Sequence, residues 1–204
     1  MLILLTTLLP MLYINPVYSQ PSISTAKLVH AGVGNATSVL TEFVPKRVEI
    51  NAGELIMWDS PTTVPEPHSV TFIKGNNSFA AFAAPFRVPN STTFESPDPG
   101  SNAEPLFAPP LPGEPTKTVI TVNARAYMPV VIDSSGNNVR FLPPNSNYTM
   151  DGTESYVNSG WLWPQGQAPP GPQLTNFTLT FEKPGTYDYL CNVHPWMTGT
   201  VIVK

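Results

Sequence analysis

The sequence predicts an all-β protein, an antiparallel sandwich or barrel. Three observations lead there. Short runs alternate between apolar and polar residues, which is the period of a half-buried strand. The 204 residues include 25 prolines and 13 glycines, which punctuate short strands and interrupt long helices. No segment has a convincing helical period, and no segment repeats. With 41% hydrophobic residues, the chain can bury the core of one domain.

The strand-like text begins at Ser38. F-V-P-K-R-V-E-I-N-A-G-E-L-I-M-W-D sets Val48 and Ile50 on one face and Glu49 on the other. It turns at Asn51 to Gly53 and resumes as the apolar run Leu55 to Trp58. Ser69 to Ile73 is short and β-branched. Toward the end, Phe177, Leu179 and Phe181 share a face opposite Thr178 and Thr180. After the turn K-P-G-T, Tyr187, Tyr189 and Cys191 fall on one face, and T-V-I-V-K closes the chain.

The middle, from about 76 to 172, reads differently. Proline-rich pieces such as S-P-D-P-G, A-P-P-L-P-G-E-P and P-Q-G-Q-A-P-P-G-P surround a strand at Thr118 to Val122 and a second at Met128 to Ile132. An aromatic patch follows at Tyr156, Trp161 and Trp163. This stretch is either a separate small domain or a long insertion within one domain spanning 20–204, and the insertion is the more economical reading. Neither flank has enough strands to stand alone.

Residues 1–19 resemble a secretory signal. An apolar run from Leu2 to Leu12 precedes V-Y-S, with cleavage expected after Ser19, although no Lys or Arg precedes the run. The alternatives are a buried N-terminal strand or an uncleaved anchor, which would associate the chain with a membrane. Sequons at Asn35, Asn76, Asn90, Asn147 and Asn176 are compatible with export. The expected location is extracytoplasmic: secreted, periplasmic or pseudoperiplasmic. A formal net charge of −4, with 12% charged residues, argues against nucleic acid as a partner. A single cysteine makes no internal disulfide.

That cysteine carries the chemistry. In C-N-V-H-P-W-M, Cys191 offers a soft thiolate, His194 an imidazole and Met197 a weak thioether. With one more histidine they make the His₂Cys set with a long axial Met that suits a mononuclear blue-copper centre. His68, in P-E-P-H-S-V-T-F, directly precedes a strand and is the candidate fourth donor; His30 has no such context. Taken singly, each of these residues has an ordinary structural reading: a surface histidine, a core methionine, an inert buried thiol. Their conjunction points to a metal.

P-H-S-V-T-F, followed much later by F-E-K-P-G-T-Y-D-Y-L-C-N-V-H-P-W-M-T-G-T-V-I-V, resembles the copper-binding segments of the cupredoxin family, in particular its plastocyanin-, amicyanin- and pseudoazurin-like members. The spacing Cys-x₂-His-x₂-Met is most similar to amicyanins. The resemblance covers roughly Thr41 to Ile73 and Phe177 to Lys204. It implies an eight-stranded Greek-key β-sandwich with one type 1 copper ion held by His68, Cys191, His194 and Met197. It also implies that His194 presents an imidazole edge through an apolar surface, where redox partner proteins would dock on a monomer. Pro195 and Trp196 would belong to that patch. His68 and Cys191 stand much farther apart than in the small soluble members, which is where the insertion falls. The loop at Asn158 to Gly160 has two readings, one near the metal and one as a turn packed by Trp161. From its position, Ser69 is expected to offer its backbone N–H to the cysteine sulfur.

Counting excludes copper centres that need more histidines or a second cysteine. Three histidines cannot build a trinuclear oxidase cluster or a second nitrite-reductase copper, and one cysteine cannot build a dinuclear centre. The expected function is therefore electron transfer by Cu(I)/Cu(II) cycling, without enzymatic turnover. Alternatives are copper delivery without a redox circuit, a mononuclear copper protein reacting with a small molecule, a cysteine-dependent enzyme, and a zinc site.

Overall fold

Alternation along the chain becomes burial across two sheets. The computed structural model describes residues 26–74, 84–92, 111–121, 123–168 and 173–204. In order, the strands are β1 (Lys27–Asn35), β2 (Ser38–Val44), β3 (Arg47–Ile50), β4 (Leu55–Asp59), β5 (Thr71–Ile73), β6 (Ala84–Pro89) and β7 (Thr116–Thr121). One helical turn, α1 (Ala124–Tyr127), precedes β8 (Pro129–Ile132), β9 (Val139–Phe141), β10 (Asn147–Met150), β11 (Tyr156–Ser159), β12 (Asn176–Phe181), β13 (Gly185–Leu190) and β14 (Thr198–Val203).

Five strands form one sheet in the order β10-β12-β4-β1-β2. Seven form a second, β3-β14-β13-β5-β11-β8-β9, and β6 pairs with β7 as a separate ribbon. The two larger sheets share one apolar core, as a sandwich requires. Ile56 and Trp58 of β4 and Phe177, Leu179 and Phe181 of β12 are fully buried, and they meet Phe72, Val157, Tyr189 and Val201 from the opposite sheet. Tyr189 is central: its ring lies 4.6 Å from Phe43, 5.1 Å from Phe72 and 5.5 Å from Trp58. The Phe43 and Trp58 contacts are edge-to-face, which favours a fixed aromatic core.

The sheets are mixed rather than purely antiparallel. β1 pairs parallel with β4, β10 with β12, and β3 with β14. Each parallel pair is joined by chain that visits the opposite sheet, because a tight hairpin can connect only antiparallel neighbours.

The stretch 76–172 supplies six of the fourteen described strands, β6 to β11, and the remaining eight match the number that the resemblance implies. The six are not all decoration. β8, β9 and β11 extend the seven-stranded sheet and β10 edges the other. The expected strand at 128–132 is β8, shortened at its start because Asn123 caps a helical turn, its side chain accepting from the Arg125 N–H. A four-residue helix is too short to leave a periodic trace. The segment read as a signal, 1–19, the sequon at Asn76 and S-P-D-P-G lie outside the described residues. Among the described residues, no helix is long and apolar enough to cross a membrane.

Candidate metal centre

The hairpin β13–β14 builds one side of the site. Leu190 and Thr198 pair at its base, and the chain between them makes a short loop. Two backbone bonds close that loop: the Cys191 N–H donates to the Met197 carbonyl (2.9 Å), and the Met197 N–H to the His194 carbonyl (2.8 Å). Cys191 and Met197 are fully buried, and His194 is 7% exposed. The opposite wall is the segment leading into β5. Here His68 is pinned to Leu162 by reciprocal bonds of 3.0 and 2.7 Å.

These two segments bring three donors together. One ring nitrogen each of His68 and His194 and the sulfur of Cys191 lie within 4.8 Å of one another, all buried. His194 Nδ1 is 3.7 Å from Cys191 Sγ, and the two imidazole rings are 5.0 Å apart. The Ser69 backbone N–H donates to Cys191 Sγ at 3.3 Å, the contact expected from its position. Met197 sits in the adjoining core. His30 lies elsewhere: its Nδ1 faces Asp59 Oδ1 at 2.6 Å on the β1–β4 pair, partly exposed.

The electrostatics suit a cation. Burial alone would push the Cys191 thiol up, but the imidazoles of His194 and His68 and the Ser69 and His194 amides more than offset it, bringing it down to about 6. The thiolate in turn raises His194, against a smaller opposing effect of burial, and Glu66 adds to the rise. His68 is fully buried, yet among the described residues neither of its ring nitrogens has a hydrogen-bond partner. A buried polar atom left unpaired is costly, and a metal ion on one nitrogen removes part of that cost. Orphaned nitrogens beside an acidified thiol therefore fit a soft divalent or monovalent metal.

Several residues beyond the candidate donors shape the site. Asn158 lies on β11, in a fully buried strand rather than a loop, and is hydrogen-bonded on both ends of its amide. Its Oδ1 accepts from Thr71 Oγ1 (2.9 Å) and its Nδ2 donates to the carbonyls of Arg125 and Ala126 (2.8 and 3.0 Å). Thr71 Oγ1 is 3.0 Å from Ser69 Oγ, which accepts from the Asn192 N–H at 2.8 Å. Asn192 Nδ2 also reaches the Ala126 carbonyl. A buried polar chain thus runs from β11 to the residue after the cysteine. Trp161 does pack nearby, donating from Nε1 to Asn192 Oδ1 (3.3 Å), so the two readings of 158–160 describe neighbouring parts of one network.

The edge of His194 differs from the expected bare apolar port. Its Nε2 meets Glu66 Oε1 at 2.9 Å, because P-E-P carries Glu66 over the ring just before His68. Trp196, 64% exposed, stands edge-on beside the same ring at 5.3 Å.

Comparison with known proteins adds a local likeness. The chain is 46% identical over 37 residues to amicyanin-alpha of Methylorubrum extorquens, a match covering 17% of this chain and 31% of that protein. The chain thus spans about a third of the length of this curated relative. Among solved structures, a mutant amicyanin in its Cu(I) form aligns over 88% of this chain and 82% of its own, at 14% identity and a TM-score of 0.37. Amicyanin from Paracoccus versutus aligns over 91% and 86%, at 16% identity and a TM-score of 0.31. No family model matches the chain. By its two-sheet β architecture, its His-Cys-His cluster and the shared amicyanin segment, the chain is cupredoxin-like.

Proposed function

We propose that this protein is an electron carrier with one type 1 copper ion held by His68, Cys191, His194 and Met197. The observation that supports it most is the convergence of two buried imidazoles and the only thiol within 4.8 Å, from segments far apart in the chain. Copper in such a set of two imidazoles, a thiolate and a thioether cycles between Cu(I) and Cu(II), because the donors compromise between the preferences of the two states.

The chain's own residues do the rest. Ser69 holds the sulfur through its amide and withdraws electron density from the thiolate. The loop closed by Cys191, His194 and Met197 backbone bonds keeps the donors in place through a redox change. The polar chain through Asn192, Ser69, Thr71 and Asn158 fixes the outer layer. A rigid donor set keeps rearrangement small when an electron arrives or leaves, which suits transfer over catalysis. Redox partner proteins would approach at His194 beside Trp196, and a formal charge of −4 favours basic ones. In this reading residues 20–204 act as one domain outside the cytoplasm, with 76–172 built into it.

Optical and EPR spectra of the copper-loaded protein test this. Intense thiolate-to-copper absorption is expected, and it disappears in Cys191→Ser. A colourless protein that prefers zinc would refute the proposal.

A further inference from the structure

No donor pattern requires Glu66, yet it lies against the outer edge of His194. Its Oε1 is 2.9 Å from His194 Nε2, while Nδ1 of the same ring faces Cys191 Sγ at 3.7 Å. With Nδ1 turned toward the cluster, Nε2 carries the ring proton and donates it to the carboxylate. The placement is built into the chain. Glu66 lies between Pro65 and Pro67, and a residue before proline is confined to extended backbone. Its own N–H donates to the Val64 carbonyl at 2.7 Å. Two residues on, His68 is anchored to Leu162. The carboxylate therefore reaches His194 from a stiff segment tied to the other half of the site.

We infer that Glu66 is a positioning residue that biases the centre toward its oxidised, more positive state; this rests on the copper reading above. Two effects act in the same direction. A ligating imidazole that donates its second N–H to a carboxylate is a stronger donor, which the higher-charged ion rewards more. A fixed negative charge nearby also favours the state with the extra positive charge. The Glu66 side chain is 35% exposed, so solvent screens much of the second effect. The first acts through a ring that is 9% exposed and is screened less.

Two variants separate charge from contact. E66Q keeps an acceptor oxygen and removes the charge, while E66A removes both. Wild type and variants are compared by reduction potential, by competition titration with Cu(II) and with Cu(I), and by NMR hydrogen exchange of the His194 ring N–H in the metal-free protein. E66A is expected to lose about tenfold in Cu(II) affinity, the low end for removing a carboxylate behind a ligating histidine. Cu(I) affinity stays nearly unchanged, so the potential rises by about 59 mV, the one-electron equivalent of tenfold. E66Q falls between. The ring N–H exchanges faster in both variants, and the thiolate-to-copper band persists throughout. Equal potentials in all three proteins, with the band retained, would overturn the inference while leaving the copper reading intact. So would a loss of stability in E66A with no change in potential. Absence of the band in wild type would overturn both.

Discussion

Gly32 illustrates how much of a site can depend on the lack of a side chain. It sits in β1 where the pairing with β2 slips between Ala31 and Val33, with φ of +77°. A Cβ there would lie 2.4 Å from His68 Nε2 and 2.8 Å from its Cδ2. That residue must therefore be small for two reasons, left-handed backbone and a buried imidazole pressed against it. Gly32→Ala is expected to destabilise the protein by about 1–3 kcal/mol and to push the His68 ring away from Cys191. Denaturant midpoints and the thiolate-to-copper band would both change; an unaltered band would mean that His68 does not set the geometry. The sequence makes the candidate donors visible because Cys, His and Met at fixed spacing are chemically distinctive. It makes Ser69 visible because its neighbour is a candidate donor. It hides Gly32, because contact between β1 and His68 depends on how distant strands stack. Glu66 could have been suspected from P-E-P-H, where prolines stiffen an acid next to a donor, but nothing local says which way it points.

At the level of elements, β5, β11 and the turn α1 act as one unit behind the candidate metal centre. Asn158 is the joint: one amide bonds a hydroxyl on β5 and two carbonyls at α1. Asn192 shares the Ala126 carbonyl with it and belongs to the loop that holds Cys191. Asn158→Ala would remove three hydrogen bonds from groups that each keep another partner, Thr71 in Ser69, the Arg125 carbonyl in the Tyr156 hydroxyl and the Ala126 carbonyl in Asn192, and a loss of about 1–3 kcal/mol is expected. Asn192→Ala should cost a similar amount. Because both side chains bond the same Ala126 carbonyl, their effects should not add. A double-mutant cycle is expected to give a coupling of about 0.5–3 kcal/mol; strict additivity would mean that the chain of bonds is not a unit. This unit also marks where sequence reading falls short. Alternation identified β3, β12 and β13, each with one buried and one more exposed face, and an apolar run identified β4. β8 and β11 are buried on both faces, so P-V-V-I and Y-V-N-S show no alternation at all. Proline-rich surroundings then made their stretch read as an insertion, though its strands complete the sheet beside β5.

Across the whole molecule, the buried tyrosines set a limit on alkaline stability. Burial pushes Tyr189 up to about 12, only partly countered by the nearby Trp58 indole. Burial, with the hydrogen bond and charge of Glu154, does the same for Tyr148, also to about 12. Tyr156 is raised as well, again by burial. An unfolded chain ionises tyrosine near pH 10, so above that pH the unfolded state holds fewer protons than the native one, and stability falls as pH rises. The contribution is complete below pH 10 and is lost as pH climbs to about 12. For Tyr189 alone the pKa difference corresponds to about 3 kcal/mol. Tyrosinate absorbance should therefore appear in two stages, exposed residues first, and the second stage should coincide with loss of near-ultraviolet circular dichroism. Tyr189→Phe separates this cause from general charge repulsion. Among the described residues its hydroxyl has no hydrogen-bond partner, so its removal leaves nothing unpaired and stability at neutral pH should hold or rise. At the same time the alkaline midpoint should move upward, because one acidic group no longer favours the unfolded chain. If all seven tyrosines ionised together near pH 10 with the fold intact, the packing of Tyr189 between the two sheets would have to be looser than its contacts with Phe43, Trp58 and Phe72 require.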